Sequence, residues 1–274
     1  MTTVVLVHGF GHASWCWSLV TERFAARGLP SVAVDLDGQG LKSTMPPGSV
    51  TASSAAATLV DQIRRIGRGE PCVVVAHSMG GTVATAAAEI EPSLFAELIY
   101  VAAYAPVAGL PTMAYFAEPE SAGEMVTRLL VGDPAQTGML RIGLDDRTAI
   151  RETFYGDVEP VIADAAIALL SSGAPVGIPV ETLTVTPQRY GSVPKAYVLC
   201  ERDTTVVPVA LQRRMIREID AVSAASTVVI DMDAAHSPFL SRPDDFVNAI
   251  VEHRALISAR RSLTTPSTRS AGST

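Results

Sequence analysis

The sequence predicts an α/β fold with a mostly parallel sheet of about six strands and helices on both of its faces. Six short runs of β-branched and apolar residues alternate with stretches of helical periodicity, which is typical of parallel strands joined by crossover helices. Polar side chains directly follow several of these runs, at the position that becomes the carboxyl edge of such a sheet. The chain has 274 residues, of which 48% are hydrophobic, and this length suffices for one full core with a small insertion.

Each predicted strand is a run of mainly Val, Ile, Leu, Ala or Tyr that ends at small or polar residues. In chain order the strands are predicted at about 3–8, 31–36, 72–77, 97–103, 195–200 and 226–231. Helices are predicted near 15–27, 52–67, 79–90, 208–220 and 243–258. The alternation of strand and helix therefore holds at both ends of the chain but not in its middle.

The middle of the chain is predicted to form a small helical cap. After Pro106 the pattern breaks into short amphipathic pieces such as Ala122 to Leu130 and Asp157 to Leu170. We expect residues 106–192 to form this cap over the carboxyl edge, inserted before the fifth strand. Residues 1–105 and 193–258 then form the core. Residues 259–274, which are rich in Ser, Thr, Pro and Arg, are predicted to be disordered.

One serine stands between the third predicted strand and the next helix, in the segment Ala76-His77-Ser78-Met79-Gly80-Gly81. Small residues at this point allow the sharp strand-to-helix turn called a nucleophile elbow, which exposes the serine Oγ above the sheet. The usual pattern is G-x-S-x-G, and Ala76 replaces its first glycine. The amino end of the helix also directs free N–H groups at the place where an oxyanion would form. We predict that Ser78 is a nucleophile, with helix capping as the structural alternative.

A serine nucleophile of this kind needs an acid and then a histidine later in the chain. The fifth predicted strand is followed by a polar loop with Asp203, and the sixth by a loop with His236. Both loops lie at the edge where the serine stands. We therefore predict Asp203 as the orienting acid and His236 as the general base. Asp231 and Asp233 lie near the same edge and are alternatives for the acid.

The loop after the first strand, His8-Gly9-Phe10-Gly11-His12, has glycines that permit a close backbone approach. An elbow enzyme builds its oxyanion hole from the N–H after the nucleophile and a second N–H from such an early loop. Met79 is the first predicted donor and Phe10 the second. His8 and His77 are predicted to be structural or to line the pocket, without an acid–base role.

Together these motifs resemble those of α/β-hydrolases, and more narrowly those of the plant methylesterase and hydroxynitrile lyase family with its bacterial esterase relatives. The resemblance implies the α/β-hydrolase fold, the triad Ser78, Asp203 and His236, an oxyanion hole at Phe10 and Met79, and no metal or organic cofactor. It is carried by five segments between residues 4 and 240, which are Leu6 to Trp17, Val34-Asp35-Leu36, Ala76 to Gly81, Leu199 to Asp203 and Ala235 to Pro238.

Two departures separate the activities within that family. Members that cleave cyanohydrins carry a lysine directly after the catalytic histidine and a threonine in the early loop. This chain has Ser237 and Gly9 at those places. Because the lysine supplies the positive charge that stabilises departing cyanide, its absence favours ester hydrolysis. The expected function is a serine hydrolase that cleaves a carboxylic ester of a small hydrophobic or aromatic molecule through an acyl-enzyme.

Several other activities stay open on the same triad. They are those of a cofactor-independent lyase similar to the hydroxynitrile lyases, a thioesterase, a carbon–carbon hydrolase and a ligand-binding, receptor-like module. Haloalkane dehalogenases and epoxide hydrolases need a carboxylate at the elbow, so Ser78 argues against them. The cap is rich in large apolar residues, and the candidates for substrate contact are His12, Phe116 and Leu129.

Composition narrows the classes of partner. A formal charge of -7 offers no basic surface for nucleic acid, and no run of about 18 apolar residues suggests a membrane span. The partner is expected to be a small-molecule substrate, with a homodimer as one option for assembly. No signal peptide precedes the first strand, so we expect a cytoplasmic enzyme. The three cysteines are widely spaced and apolar in setting, which predicts buried thiols and no metal site.

Overall fold

The structure is a computed structural model that describes residues 2–264, and side chains up to residue 256. Its main sheet has six parallel strands, as predicted, and by the strand ranges given below their order is β2-β1-β3-β4-β8-β9. Predicted and observed strand ends differ by no more than two residues. The nine strands of the described chain are β1 (Val4–Val7), β2 (Ser31–Val34), β3 (Cys72–His77), β4 (Phe95–Val101), β5 (Leu130–Val131), β6 (Met139–Ile142), β7 (Gly173–Pro175), β8 (Lys195–Cys200) and β9 (Val228–Met232).

Burial explains which residues form the centre of this sheet. Every residue of β1, β3 and β8 is buried, and apart from His77 and Lys195 these strands are apolar, as expected where helices cover both faces of a sheet. The edge strands β2 and β9 are partly exposed and contain polar residues. The catalytic loops predicted from the sequence therefore follow one edge strand and two inner strands.

Helices connect the strands and cover the sheet. The α-helices are α1 (Ser18–Ala26), α2 (Ala52–Gly67), α3 (Gly80–Ile90), α4 (Val126–Leu129), α5 (Pro134–Thr137), α6 (Arg147–Phe154), α7 (Pro160–Leu169), α8 (Gly177–Val180), α9 (Val209–Val222), α10 (Pro238–Ser241) and α11 (Pro243–Thr264). Short 3-10 turns lie at Ser14–Trp17, Gly40–Lys42, Pro47–Ser49, Pro92–Leu94, Thr112–Ala117, Pro119–Ser121 and Tyr190–Ser192.

The two faces of the sheet are covered by different helix pairs. The chain moves from β1 outward to β2 and then back to β3, so right-handed crossovers place α1 and α2 on opposite faces. Accordingly, α1 packs against α11, and α2 packs against α3. This arrangement leaves the carboxyl ends of the strands open to the segment between β4 and β8.

That segment contains more than the predicted helices. Strands β5, β6 and β7 form a small antiparallel sheet, which sequence analysis did not predict because each strand has only two to four residues. The predicted amphipathic pieces are helical only over α4 and α7. The division into core and cap at residues 106 and 192 stays a prediction, although this sheet and its five helices all lie between those positions.

The last helix continues further than expected. We predicted a disordered segment over 259–274, but α11 extends to Thr264, so the first part of that prediction is corrected to helix. The rest of the predicted tail lies outside the described residues. Within the described chain, no helix combines the length and apolar character needed to cross a bilayer.

Candidate active site

Ser78 occupies a sharp turn between β3 and α3. Its φ of 52° is in the left-handed region, which non-glycine residues rarely adopt. Three backbone hydrogen bonds hold this conformation. The Ser78 N–H donates to the Val101 carbonyl at 3.2 Å, and the Ser78 carbonyl accepts from the N–H groups of Gly81 and Tyr104 at 3.0 and 3.2 Å. The predicted elbow therefore exists, and its backbone is fixed by the loop that follows β4.

Two glycines make the close approach possible. A Cβ atom on Gly80 would lie 2.3 Å from the His8 carbonyl oxygen, and one on Gly81 would lie 2.3 Å from the Tyr104 carbonyl oxygen. Real Cβ atoms do not approach backbone oxygens so closely, so any larger residue would displace the turn. Ala76 is fully buried without a positive φ, which explains why this position accepts a methyl group.

The predicted acid and base form a hydrogen-bonded pair. His236 Nδ1 donates to Asp203 Oδ2 at 2.7 Å, and both side chains are almost completely buried. A carboxylate only accepts, so the proton of a neutral His236 lies on Nδ1 and Nε2 is left as the base. Neither rival carboxylate does this, because Asp231 is exposed and Asp233 is exposed and pairs with Arg202.

The Asp203 carboxylate is fixed by its own loop. Oδ1 accepts from the N–H groups of Thr205 and Val206 at 3.3 and 3.1 Å, and Oδ2 accepts from the Val207 N–H at 3.2 Å. These three donors hold the carboxylate in one orientation against His236.

Ser78 and His236 line the same cavity. Within residues 2–256 no hydrogen bond joins Ser78 Oγ to His236 Nε2. Such bonds are often long before substrate binds and shorten in the complex. The structure thus brings the predicted nucleophile and base to one cavity, and Asp203 is hydrogen-bonded to the base behind it.

The two predicted oxyanion donors are available. Among the described residues, neither the Phe10 N–H nor the Met79 N–H has a protein acceptor. His8 explains how the first of them is oriented. Its Nδ1 donates to the Gly9 carbonyl at 2.8 Å, and its Nε2 accepts from the Leu36 N–H at 3.1 Å. Since N–H and C=O point in opposite directions across a trans peptide, the Phe10 N–H points away from His8.

Three buried histidines around the site are neutral. Burial lowers the pKa of His8 to about 4 and the pKa of His12 to about 3. Burial also lowers the pKa of His77 well below its usual value. His77 donates from Nε2 to the His236 carbonyl at 2.9 Å, while its Nδ1 is buried without a hydrogen-bond partner. His77 therefore supports the loop of the base and is not itself a second base, in agreement with its predicted structural role.

The three candidates for substrate contact have different positions. Phe116 and His12 both line the cavity, whereas Leu129 is buried within the cap and does not, so that candidate is corrected. Both ring nitrogens of His12 are already hydrogen-bonded, with Nδ1 to the Phe10 carbonyl and Nε2 to the Tyr155 hydroxyl, each at 2.8 Å. His12 therefore contributes a ring surface to the cavity, and its polar atoms hold the oxyanion loop.

The cavity over Ser78 is narrow and mainly apolar. Its volume is about 30 Å³, which is room for about two water molecules. Met113, Phe116 and Val126 contribute apolar side chains from the cap, and Thr112 is one of the few polar lining residues. No Lys, Arg, Asp or Glu lines it within residues 2–256. Over the same part of the chain, no group of three or more His, Cys, Asp or Glu is placed to hold a metal.

Two polar residues near the site were missed by sequence analysis. Tyr155 had no predicted role, and Asp157 was named only as the start of an amphipathic piece. Their partners, His12 and Ala235, are 143 and 78 positions away in the chain. No local pattern indicates contacts between residues so far apart in the chain. The placement of His8 and His12 two residues before and after Phe10, in contrast, can be seen in the sequence.

Comparison with known proteins gives matches over most of the chain. The alpha/beta hydrolase family matches residues 4–249. Methylesterase 7 of Arabidopsis thaliana is 30% identical over 256 residues, which cover 90% of this chain and 94% of that protein. Norfluorocurarine synthase 1 of a Strychnos species is 26% identical over 264 residues, which cover 90% of this chain and 93% of that protein.

Solved structures share the same architecture. A pyrethroid hydrolase, PytH, superposes with a TM-score of 0.79 at 23% identity, covering 94% of this chain and 99% of that one. Polyneuridine aldehyde esterase gives a TM-score of 0.77 at 20% identity, covering 93% and 99%. At identities this low, the likeness to these structures supports a common fold only.

Proposed function

Because the chain belongs to the α/β-hydrolase family, we propose that it is a serine hydrolase that cleaves a carboxylic ester of a small hydrophobic or aromatic molecule through an acyl-enzyme. The resemblance predicted from the sequence motifs is thereby confirmed at the level of the family. The observation that carries the proposal is the arrangement at the carboxyl edge. His236, which is hydrogen-bonded to Asp203, lines the same cavity as Ser78, and the N–H groups of Phe10 and Met79 have no protein acceptor in the described chain.

The first half of the reaction forms the acyl-enzyme. Ser78 Oγ attacks the ester carbonyl carbon as its proton passes to His236 Nε2. Asp203 keeps the imidazole oriented and stabilises its positive charge. The N–H groups of Phe10 and Met79 donate to the oxyanion, and one such donor is worth about 3 kcal/mol of the barrier in other enzymes. The tetrahedral intermediate then collapses, and His236 returns the proton to the departing alcohol.

The second half releases the acid. Water takes the place of the alcohol, gives a proton to His236 Nε2 and attacks the acyl carbon of the Ser78 ester. Collapse of the second tetrahedral intermediate breaks the bond to Ser78 Oγ, which takes the proton back from His236. The carboxylic acid leaves, and the enzyme returns to its starting state without a metal or organic cofactor in any step.

The cavity supports a small and uncharged substrate. An apolar wall without a charged side chain favours neutral hydrophobic or aromatic groups over a substrate that carries a free carboxylate. The relatives named methylesterases make a methyl ester the first choice among esters. The cytoplasmic location and a homodimer stay predictions.

The rival activities differ in what they ask of the site. A cyanohydrin lyase needs a cation beside the base, yet Ser237 occupies that position and its hydroxyl donates to the Phe154 carbonyl at 2.8 Å. A thioesterase or carbon–carbon hydrolase needs the same triad and differs only in the substrate. A ligand-binding module differs in turnover, since a receptor releases its ligand slowly.

The test is multiple-turnover hydrolysis by the wild-type protein and Ser78→Ala. Suitable esters are p-nitrophenyl acetate and butyrate, methyl salicylate and methyl indole-3-acetate. We expect turnover in the wild type and a loss of about 10⁴-fold or more in Ser78→Ala, as for other removed nucleophiles. Ser93→Ala is the matched control and should retain full activity, because Ser93 is exposed and its hydroxyl donates a hydrogen bond to Glu91. Equal rates for wild type and Ser78→Ala on every ester would refute the proposal.

A further inference from the structure

One five-residue segment of the cap contacts the three loops that, beside the elbow of Ser78, carry the catalytic groups. We call residues 153–157, at the end of α6 and just beyond it, the cap anchor. The oxyanion loop is residues 8–12, the acid loop residues 201–207 and the base loop residues 233–237. Four of the five anchor residues bond to these loops, which is a concentration of contacts not found at another single segment of the described cap.

Two of these bonds use the carbonyl groups of the anchor. Thr205 Oγ1, in the acid loop, donates to the Thr153 carbonyl at 2.7 Å. Ser237 Oγ, in the base loop, donates to the Phe154 carbonyl at 2.8 Å. Both acceptors lie at the carboxyl end of α6, where carbonyl groups have no partner within the helix. The carbonyl groups at the end of α6 thus accept hydrogen bonds from side chains of the acid loop and the base loop.

Asp157 joins the acid loop to the base loop. Its Oδ2 accepts from the Ala235 N–H at 2.9 Å and from Arg202 Nη2 at 3.3 Å. Ala235 directly precedes His236, and Arg202 directly precedes Asp203. A single mostly buried carboxylate therefore holds the backbone before His236 and the side chain of the residue before Asp203.

Tyr155 acts on the oxyanion loop through His12. The Phe10 carbonyl only accepts, so His12 Nδ1 carries the proton in their 2.8 Å hydrogen bond. His12 is neutral, because burial lowers its pKa to about 3, so its Nε2 has only a lone pair. The Tyr155 hydroxyl must then be the donor in the 2.8 Å bond to Nε2. By donating there, Tyr155 fixes the tautomer in which His12 Nδ1 donates to the Phe10 carbonyl. This carbonyl belongs to the peptide bond that follows the Phe10 N–H.

We propose that the cap anchor positions the catalytic groups, with Tyr155 setting the oxyanion loop through His12 and with Asp157 setting the acid and base loops. These are positioning residues, since neither touches the reacting atoms. The effect on turnover rests on the proposed ester hydrolysis, whereas the effect on His12 and His236 does not. A displacement of about 1 Å in such groups is enough to lower a rate by about 100-fold.

The first test compares two tyrosines of the cap. Tyr155→Phe leaves His12 Nε2 without a donor, so we expect kcat to fall by about 10-fold to 100-fold while KM changes by less than about twofold. Tyr115→Phe is the matched control. Tyr115 is also fully buried, but its hydroxyl donates to Glu218 on α9, away from the catalytic loops. Equal losses in the two variants, or an unchanged kcat in Tyr155→Phe, would overturn the role of Tyr155.

The second test uses rescue at Asp157. Asp157→Ala removes the acceptor for the Ala235 N–H, and Asp157→Asn retains one through its amide oxygen. We expect a lower kcat in Asp157→Ala and recovery of most of it in Asp157→Asn. Asp164→Ala is the control, because it breaks cap ion pairs with Arg147 and Arg151 that do not reach a catalytic loop. Equal effects of Asp157→Ala and Asp164→Ala would contradict the proposal.

A measurement without substrate separates this inference from the proposed function. In NMR spectra of protein labelled at histidine, the downfield imidazole protons report the His12 and His236 hydrogen bonds. Tyr155→Phe should shift the His12 signal and Asp157→Ala the His236 signal, while Tyr115→Phe shifts neither. If the wild type hydrolyses no ester, the proposed function fails and these signals decide the inference: shifts in the two anchor variants support it, and unchanged signals refute it.

Discussion

The nucleophile elbow and the cap anchor both shape the active site, but they do so over very different distances in the chain. Residues 72–81 build the elbow, and the backbone of His8 after β1 and of Val101 and Tyr104 at and just after the end of β4 contacts it. The cap anchor bonds to residues that are 52, 83, 143 and 78 positions away. The elbow therefore presents Ser78 through residues that are close in the chain, whereas the cap anchor contacts the other loops of the site through residues that are distant in the chain.

Because of this difference, we expect the elbow and the cap anchor to tolerate substitutions to different degrees. The elbow depends on steric limits, since two missing Cβ atoms permit the approach of backbone oxygens. The cap anchor depends on single hydrogen bonds, each of which contributes about 1 kcal/mol and can be replaced by a similar donor or acceptor. We expect elbow variants to lose fold and activity together, and anchor variants to lose mainly turnover.

Among the variants that test this comparison, the largest effect is expected at Asp203, the acid that orients His236. In Asp203→Asn the amide oxygen can satisfy the Thr205 and Val206 N–H groups, which places the NH₂ group against His236 Nδ1. His236 must then adopt the other tautomer, and kcat should fall by about 10⁴-fold.

The matched control for this variant is Asp231→Asn, at the exposed carboxylate that the sequence left as an alternative. Steady-state kinetics on one ester is the measurement, with KM expected to change little in either variant. A fall in kcat for Asp231→Asn equal to that for Asp203→Asn would contradict the assignment of the acid.

A smaller effect, on stability, is expected in the elbow. Gly81→Ala places a Cβ 2.3 Å from the Tyr104 carbonyl oxygen, so the turn must open. The free energy of unfolding should decrease by about 1–3 kcal/mol, as for other overpacked sites, and activity should fall with it. Gly48→Ala, where no heavy atom lies within 4 Å of the added Cβ, should change stability by less than about 0.5 kcal/mol. Chemical denaturation measures both, and equal stabilities would contradict a steric role for Gly81.

The buried histidines that support the loops should make the stability of the protein depend on pH. Burial lowers the pKa of His8 to about 4 and that of His12 to about 3, whereas the unfolded chain binds these protons near pH 6.5. Below about pH 6.5 the unfolded state therefore holds more protons, and the free energy of unfolding falls as the pH falls. Each histidine contributes up to about 1.4 kcal/mol per pH unit until its folded pKa is reached.

Urea unfolding between about pH 6.5 and 5 isolates this contribution, because carboxylates titrate mostly below that range. The comparison is sharpened with His12→Gln, which should flatten the dependence by removing one of the titrating groups. A free energy of unfolding that stays constant over this range in the wild type would show that the histidines are not held neutral.

Much of the fold and the triad could be predicted from the sequence because the signals are local. Buried parallel strands are nearly continuous apolar runs, and β1, β3 and β8 have that form apart from His77 and Lys195. The elbow requires small residues beside Ser78, and chain order restricts the acid and base to later strand ends. The loops that carry Phe10, Asp203 and His236 then meet at one edge by topology alone.

The cap could not be predicted to the same depth. Strands β5 to β7 have two to four residues, too few for an alternating pattern to be recognised. Leu129 was a candidate for substrate contact because it is large and apolar, but the same property buries it inside the cap. Tyr155 and Asp157 gained their importance from partners that only the folded chain brings near. Side-chain polarity alone does not reveal such pairing.

The absence of a charged side chain around the cavity in the described chain has a consequence for the end of the catalytic cycle. Hydrolysis of a neutral ester creates an acid that ionises at neutral pH, so the product becomes an anion inside an apolar wall. Keeping that anion out of water without a cation beside it is costly. The same surface that accepts the substrate therefore repels the ionised product, and an enzyme of this kind should resist inhibition by the acid that it makes.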